Sequence, residues 1–216
     1  MSEKSRERKK QGLCVVEGAR EIRLALQGGY SLENLLYQPD IFSERQLSEL
    51  LGYTTQKLTP IAISKEVYEK ISYRSSTEGV IALVEVKKHG LDTLAFKNKK
   101  PLLLVAEAPE KPGNIGALLR TADAAHIDAV IIANPKTDLY NPNIIRSSVG
   151  CVFTVPIATG TTAEVIDFLK AKNISSYCAA LTASKSYYEV SFSEASAIVV
   201  GTEDHGLTDE WLRHSP

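Results

Sequence analysis

The middle of this 216-residue chain contains an apolar run, a loop with prolines and a glycine, and a helical pattern, and this order constrains the fold most. Residues 102–106 have the length and composition of a buried strand. A helix is predicted over residues 115–125 with Asn114 at its N-cap, and residues 129–133 form a second apolar strand. A strand, a helix and a strand in this order predict parallel strands, and open parallel sheets bind ligands at the carboxyl ends of their strands.

The loop after the first of these strands holds the first candidate functional residues. Asn114 and Gly116 lie where the crevice of such a sheet is expected. Arg120 comes four residues after Gly116, about one turn further along the helix, so we expect its side chain to reach the same crevice. A salt bridge from Arg120 to Glu107 or Asp123 is the purely structural alternative.

Strands and helices keep alternating from this point to the end of the chain. Further strands are predicted at 153–157, 176–180 and 197–201, and further helices at 143–149, at 162–172 and from Thr208 onward. Strands separated by helices predict an α/β domain with a mostly parallel sheet that helices cover on both faces. A glycine directly after the last strand, in the loop 201–207, allows the backbone to approach a ligand closely.

The first part of the chain predicts a second, smaller α/β unit. Its predicted elements are strands at 13–16, 35–37 and 80–84, a helix that Gly28 ends, and helices at 43–51 and 64–71 that serines open. A lysine-rich segment follows and has the composition of a linker. We therefore divide the chain into a domain at 1–86, a linker at 87–100 and a domain at 101–216.

Composition favours a soluble globular protein, with 44% hydrophobic and 24% charged residues and no apolar run that could span a bilayer. The amino terminus lacks the apolar segment of a secretory signal, so we expect a cytoplasmic protein without a membrane partner. Cys14, Cys151 and Cys178 lie far apart among apolar neighbours, which predicts buried thiols rather than a disulfide framework or a metal site.

The charge distribution is more informative than its sum. A net charge of −1 argues against indiscriminate binding to polyanions. Basic residues nevertheless cluster at 4–10 and at 87–100. Each cluster is either solvated surface or a set of phosphate contacts.

The chain contains, in this order, NIGALLRTAD at 114–123, IRSSVG at 145–150 and GTEDHGL at 201–207. These segments resemble the first, second and third motifs of the SpoU/TrmH branch of the SPOUT methyltransferases. The amino-terminal part, with VVEGAREIRLAL and SSTEGVIALVE, resembles the small ribosomal-protein-like substrate-binding domain that many members carry. The resemblance therefore covers nearly the whole chain.

This resemblance implies transfer of a methyl group from S-adenosylmethionine to a ribose 2′-hydroxyl of structured RNA, by a homodimer. It also implies that the carboxyl-terminal part of the parallel sheet threads into a trefoil knot, an exception to the rule against knots. The added amino-terminal domain favours ribosomal RNA over transfer RNA, by family analogy alone.

Site residues follow by position in the motifs. The resemblance makes Arg120 the catalytic arginine, Asn114 the site-forming asparagine and Glu203 the acidic residue of the third motif. The residues expected at the cofactor are Gly201, Gly206 and, by a looser match, Leu181 and Thr182. The residues expected at the RNA are Arg20, Lys9, Lys10, Arg146 and Ser148, of which the last two have capping of the short helix as an alternative role. Trp211 is expected in the core rather than as a platform for a base.

Methyl transfer from a sulfonium is an in-line displacement, so orientation of the attacking oxygen supplies much of the rate. The family proposal makes the arginine a general base, which is awkward because a guanidinium keeps its charge in proteins. We therefore expect Arg120 to bind the target phosphate and to stabilise the developing alkoxide.

Members of the family continue past GLTDEWL with another strand, a cofactor-binding loop and a last helix, whereas this sequence ends at Pro216. The resemblance therefore predicts a truncated form in which the knot is incomplete. Two alternatives stay open. One is a catalytically inactive RNA-binding protein of the same fold; the other is an unrelated nucleotide-dependent α/β enzyme, although the sequence has neither a P-loop nor a G-x-G-x-x-G fingerprint.

Overall fold

A computed structural model describes residues 5–73, 78–181 and 185–215, and these form two compact units. The first unit contains the chain up to Lys87 together with Asp138–Thr154. The second unit contains Lys88–Thr137 and the chain from Val155 onward. Within the described ranges, none of the helices is both long and apolar enough to cross a membrane.

Helices and strands alternate along the chain, as the hydrophobic pattern predicts. In the described part of the chain the helices are α1 Ser5–Gln11, α2 Ala19–Gln27, α3 Glu44–Leu51, α4 Lys65–Ile71, α5 Pro112–Ala124, α6 Pro142–Ser147, α7 Thr162–Ala171 and α8 Asp209–Leu212. The strands are β1 Leu13–Glu17, β2 Leu32–Tyr37, β3 Ile61–Ala62, β4 Val80–Glu85, β5 Leu102–Glu107, β6 Ala129–Ala133, β7 Ile157–Gly160, β8 Ser175–Cys178 and β9 Ser196–Val200. Short 3₁₀ turns occur at Leu91–Thr93, Cys151–Phe153 and Tyr187–Glu189.

The first unit is built on a sheet with the strand order β1-β4-β2-β3. Strand β4 pairs antiparallel with both β1 and β2, and β2 pairs parallel with the short β3. The predicted helix starts are confirmed, because Ser43 and Gln46 form a capping box on α3 and the Ser64 side chain caps α4. The sequence pattern missed α1 and β3.

Segment Asp138–Thr154 packs with the first unit, although the sequence division at 101–216 assigned it to the second domain. Its polar anchor is Asp138, whose carboxylate pairs with the buried guanidinium of Arg8 at 2.5 Å. Its apolar anchors are Tyr140 and Phe153, which make edge contacts with the ring of Tyr30. Burial of these aromatic rings against the first unit explains a boundary that hydrophobic periodicity along the chain does not reveal.

The second unit contains a five-stranded sheet in the order β7-β6-β5-β9-β8, and every neighbouring pair is parallel. The predicted parallel α/β architecture is therefore confirmed. Strand β5 lies at the centre, and its inward side chains pack with those of β6, β9 and α7 in one apolar core. Trp211 of α8 is completely buried in this core, as predicted. All five carboxyl ends meet at one edge, where the loops after β5 and β9 face each other.

The segment 88–100 packs on the second unit instead of forming a free linker. The backbone N–H of Thr159 donates to the carbonyl of His89 at 2.7 Å. Leu91, Leu94 and Phe96 are partly buried against the apolar core. These three apolar side chains explain the packing, because they leave water for the core while the lysines on either side of them, at 87–88 and 97–100, stay at the surface.

Two predicted element boundaries are wrong. Asn114 is not the N-cap of its helix, because α5 begins at Pro112 and Lys111 occupies the cap position. A proline suits the first position of a helix, so Asn114 falls in the first turn with its side chain available for other contacts. The strand expected at 153–157 begins only at Ile157, because Gly150 adopts a left-handed φ of 85° and directs residues 151–153 into a 3₁₀ turn.

Candidate active site

A cavity of about 390 Å³ opens at the carboxyl ends of β5 and β9 in the second unit. Its walls come from three pieces of chain: the end of β5 with the loop after it, one face of α5, and the loop 201–205 after β9. The cavity therefore lies where the sequence predicted a ligand site. Ala106, Leu118 and Val200 give it apolar walls, and Asn114 and Glu203 give it polar ones.

Helix α5 presents two different faces because its apolar residues recur at helical spacing. Ile115, Leu119 and Ala122 are completely buried against the sheet. Asn114, Leu118 and Thr121 lie on another face and line the cavity. Asn114, in the first turn of the helix, therefore lies at the mouth of the cavity, while the apolar face of the helix packs in the core.

The predicted residues Asn114 and Glu203 meet at this cavity. The side-chain amide of Asn114 donates a hydrogen bond to the Glu203 carboxylate. The ammonium group of Lys111 lies 3.4 Å from the same carboxylate. Glu203 is 59% exposed, so water competes for these contacts and each is weak enough to be exchanged for a ligand. Asn114 and Glu203 are 89 positions apart in sequence, and the fold brings them together at this cavity.

The loop that carries Glu203 is a tight turn that closes on itself. Thr202 and Gly206 exchange two backbone hydrogen bonds of 3.0 Å. A Cβ atom on Gly201 would lie 2.2 Å from the carbonyl carbon of Gly206, so no other residue fits at Gly201 without moving the turn. Gly201 lines the cavity and Gly206 forms the far side of the turn with a φ of 67°. Both predicted glycines are thus needed for the shape of the loop.

A buried carboxylate at the end of β5 connects this strand to three other elements of the second unit. Glu107, at the end of β5, is 4% exposed. Its oxygens accept hydrogen bonds from the amide of Asn134 at 2.9 Å, the hydroxyl of Thr162 at 2.7 Å and the indole N–H of Trp211 at 2.7 Å. Thr162 is the first residue of α7, whose positive end also favours a carboxylate. The bond to Trp211 ties α8, and with it the Glu203 loop, to the central strand.

Arg120 and Leu181 do not reach this cavity as the sequence suggested. Arg120 is exposed and lies roughly a third of a turn round α5 from the face that lines the cavity. Leu181 is fully exposed, beyond the end of β8. Thr182 lies outside the described residues. The expectation that Arg120 shares the crevice of its own chain started from Gly116, one turn earlier on the same side of α5, but Gly116 is buried and does not line the cavity.

The residues predicted at the RNA belong to the first unit. Arg20 and Arg146, which are far apart in sequence, both line a second cavity of about 180 Å³. Lys9 and Lys10 are exposed on α1. Of the two roles predicted for Ser148, the structure agrees with capping of the short helix: the residue is the C-cap of α6, is completely buried, and its hydroxyl donates to the carbonyl of Ile145.

The three cysteines were predicted to be buried thiols, and this is confirmed for Cys14, whereas Cys151 and Cys178 are only partly buried. Cys14 is completely buried, and this burial raises the pKa of its thiol to about 12. Burial also raises the pKa of Cys178. A thiol that stays protonated at neutral pH is a poor nucleophile, so Cys14 has a packing role.

The chain is similar to known proteins in both of its parts. Residues 101–216 match the model of the SpoU rRNA Methylase family, and residues 1–82 match that of the MRM3-like substrate binding domain. The chain is 27% identical to 23S rRNA (uridine(2479)-2′-O)-methyltransferase of Streptomyces viridochromogenes, over 94% of this chain and 72% of that protein. It is 28% identical to 23S rRNA (guanosine(2553)-2′-O)-methyltransferase RlmP of Bacillus subtilis, over 84% and 72%.

Among solved structures, the fold is similar to the SpoU methyltransferase AviRb from Streptomyces viridochromogenes in complex with the cofactor AdoMet. The TM-score is 0.87 at 26% sequence identity, and the match covers 99% of this chain and 82% of that one. The similarity thus extends over both units of the chain.

Proposed function

The chain belongs to the SpoU rRNA methylase family, and on this premise we propose that it transfers a methyl group from S-adenosylmethionine to a ribose 2′-hydroxyl of ribosomal RNA. The observation that carries this proposal is the meeting of Asn114 and Glu203 at one cavity at the carboxyl edge of the parallel sheet. Similarity to two 23S rRNA 2′-O-methyltransferases supports the choice of reaction and of RNA. Ribosomal RNA as substrate agrees with action in the cytoplasm.

The residues at the cavity fit S-adenosylmethionine. Leu118 and Val200 offer apolar surface for an adenine ring, and the carboxylates of Glu110, Glu203 and Asp204 suit a ligand with an ammonium and a sulfonium charge. When bound, the cofactor supplies the methyl group on a positively charged sulfur. The tight Gly201 turn gives the backbone the close approach that such a ligand needs.

Catalysis then depends on orientation and on the charge of the attacking oxygen. At the mouth of the cavity, the amide N–H of Asn114 can donate a hydrogen bond to a ribose oxygen, and the carboxylate of Glu203 can accept one from a ribose hydroxyl. Arg120 keeps its positive charge and binds the phosphate next to the target ribose. It stabilises the 2′-oxygen as the hydroxyl proton passes to an oxygen of that phosphate and from there to water. This role requires no deprotonated guanidinium.

The position of Arg120 supports a homodimer. Because Arg120 is exposed and does not line the cavity of its own chain, we propose that the arginine of one protomer serves the cavity of its partner. The test is to mix Arg120→Ala protomers with Asn114→Ala protomers, each inactive alone. Random exchange gives one intact site in each mixed dimer and so restores about a quarter of the parent activity. No restoration would mean that both residues act within one chain.

Binding of the cofactor is tested by calorimetric titration of S-adenosylmethionine into the protein and into its Gly201→Ala variant. We expect saturable binding to the parent protein. The added methyl group must displace the Gly206 backbone, so we expect the variant to bind at least tenfold more weakly. Saturable binding of equal strength to both would contradict the assignment of this cavity to the cofactor.

A further inference from the structure

The second cavity, in the first unit, combines groups of opposite charge with an aromatic ring. It holds about 180 Å³ and is lined by Glu17 at the end of β1, Arg146 of α6 and Tyr73, over an apolar surface to which Ile145 contributes. The buried cysteine and the Glu107 network offer no comparable set of accessible polar groups. This cavity therefore has the features of a binding site outside the candidate active site.

Glu17 has hydrogen-bonding capacity to spare. One of its oxygens accepts a bond from the backbone N–H of Tyr73. The other two carboxylates of the cavity are engaged differently, since Glu21 pairs with Arg20 at 2.8 Å and Glu78 accepts from the N–H of Ala19 at 3.0 Å. A carboxylate can accept about four hydrogen bonds, so Glu17 can still receive two donors from a ligand. Partial burial raises the pKa of Glu17, opposed by the bond from Tyr73 and the charge of Arg146.

Besides Glu17, the second cavity offers a ligand the guanidinium of Arg146 and the ring of Tyr73. Within the described residues the exposed guanidinium of Arg146 makes no ion pair, although it lies close enough to Glu17 to influence its charge. The Tyr73 side chain is 40% exposed, so its ring offers a surface on which a flat group can stack. A phosphate does not suit a cavity with three carboxylates, and a metal ion does not suit one that two arginines line.

We propose that this cavity binds an unpaired guanine base of the RNA substrate. Guanine carries two adjacent donors, the N1–H and the exocyclic amino group, which match the two oxygens of Glu17. It carries two adjacent acceptors, O6 and N7, which match a guanidinium such as that of Arg146. Tyr73 stacks on the base, as aromatic residues do in the recognition of single-stranded RNA. Adenine, cytosine and uracil each lack the pair of adjacent donors.

This inference rests on the proposed function, because it assumes that RNA is the substrate. It deepens that function by assigning a base preference to the first unit. Recognition of a particular unpaired base would set the position of the RNA relative to the protein independently of the residues at the methyl-transfer site.

The test uses fluorescence anisotropy of the whole protein with labelled seven-nucleotide RNAs that are uridine except for a central G, A or C. We expect the guanine oligonucleotide to bind about tenfold more tightly than the others. Glu17→Gln should remove this preference, because an amide presents a donor where guanine also has one. Glu33→Gln, an exposed position on β2 outside the cavity, is the matched control and should keep it.

A second variant keeps the test decisive if Glu17→Gln does not fold. Tyr73→Leu changes an exposed ring, and we expect it to weaken binding of all purine oligonucleotides. Equal affinity for all bases, a guanine preference that survives in a folded Glu17→Gln variant, or purine oligonucleotides that bind to Tyr73→Leu as tightly as to the parent protein would overturn the proposal. Titration of S-adenosylmethionine into the same samples separates the base pocket from the methyltransferase function. Cofactor binding without a guanine preference refutes only the base pocket. Absence of cofactor binding refutes the methyltransferase function.

Discussion

Replacement of Trp211 by phenylalanine tests whether the buried Glu107 carboxylate ties α8 to the central strand β5. Phenylalanine fills most of the space of the indole in the core but has no N–H to donate to Glu107. A hydrogen bond to a charged group contributes about 1.5–3 kcal/mol, and the smaller ring leaves part of the space empty. We therefore expect the second unit to lose roughly 3 kcal/mol of its free energy of unfolding.

Urea denaturation followed by far-UV circular dichroism measures this loss, because Trp211 is the single tryptophan of the sequence and its replacement removes the fluorescence signal. A Glu107→Gln variant and the double variant complete a cycle that isolates the contact between the two side chains. We expect a coupling of at least about 1 kcal/mol between them. Additive effects, or a Trp211→Phe variant within about 0.5 kcal/mol of the parent, would refute the idea of a buried tie.

Three further changes probe other parts of the molecule. Asp138→Asn should destabilise the first unit by about 3 kcal/mol in thermal or urea unfolding, because it leaves the buried guanidinium of Arg8 without its counter-charge. Burial raises the pKa of Asp138, but hydrogen bonds from Arg8 and Ser5 outweigh burial, so the pKa is lowered overall. The parent should therefore keep the stability that this ion pair contributes above about pH 4, and lose it as the pH falls through the lowered pKa. Cys14 should react with a thiol reagent at neutral pH only after unfolding, and prompt labelling of Cys14 itself in the native protein, located by peptide mapping because Cys151 and Cys178 are only partly buried, would contradict its burial. Lys111→Ala should change stability by less than about 0.5 kcal/mol, because its contact with Glu203 is exposed; a larger loss would mean that the loop depends on this ion pair.

The parts of the fold that were predictable are those with local causes. The apolar runs of β5, β6 and β9 identify strands because such runs are buried on both faces of a parallel sheet. Ser43 and Ser64 mark helix starts because the capping bond forms within four residues. The pairing of Asn114 with Glu203 was anticipated only through the family resemblance, since nothing local links two residues on different loops.

The parts that were not predictable depend on contacts between distant residues. The partners of Glu107 are 27, 55 and 104 positions away, so its burial leaves no pattern in the sequence around it. The assignment of Asp138 to the first unit likewise depends on Arg8, at the other end of that unit's chain. The position of Arg120 relative to the cavity also depends on a distant segment, because the loop 201–205 decides which face of α5 lines the cavity.

Transfer of a radiolabelled methyl group from S-adenosylmethionine to ribosomal RNA tests the central claim most directly. The enzyme is expressed from its complete reading frame, and the labelled RNA is digested with alkali, which cannot cleave beside a 2′-O-methylated ribose. We predict incorporation into an alkali-resistant dinucleotide, and loss of incorporation in the Asn114→Ala and Glu203→Gln variants. Label on a base, or binding of S-adenosylmethionine without any transfer to ribosomal RNA, would contradict the account.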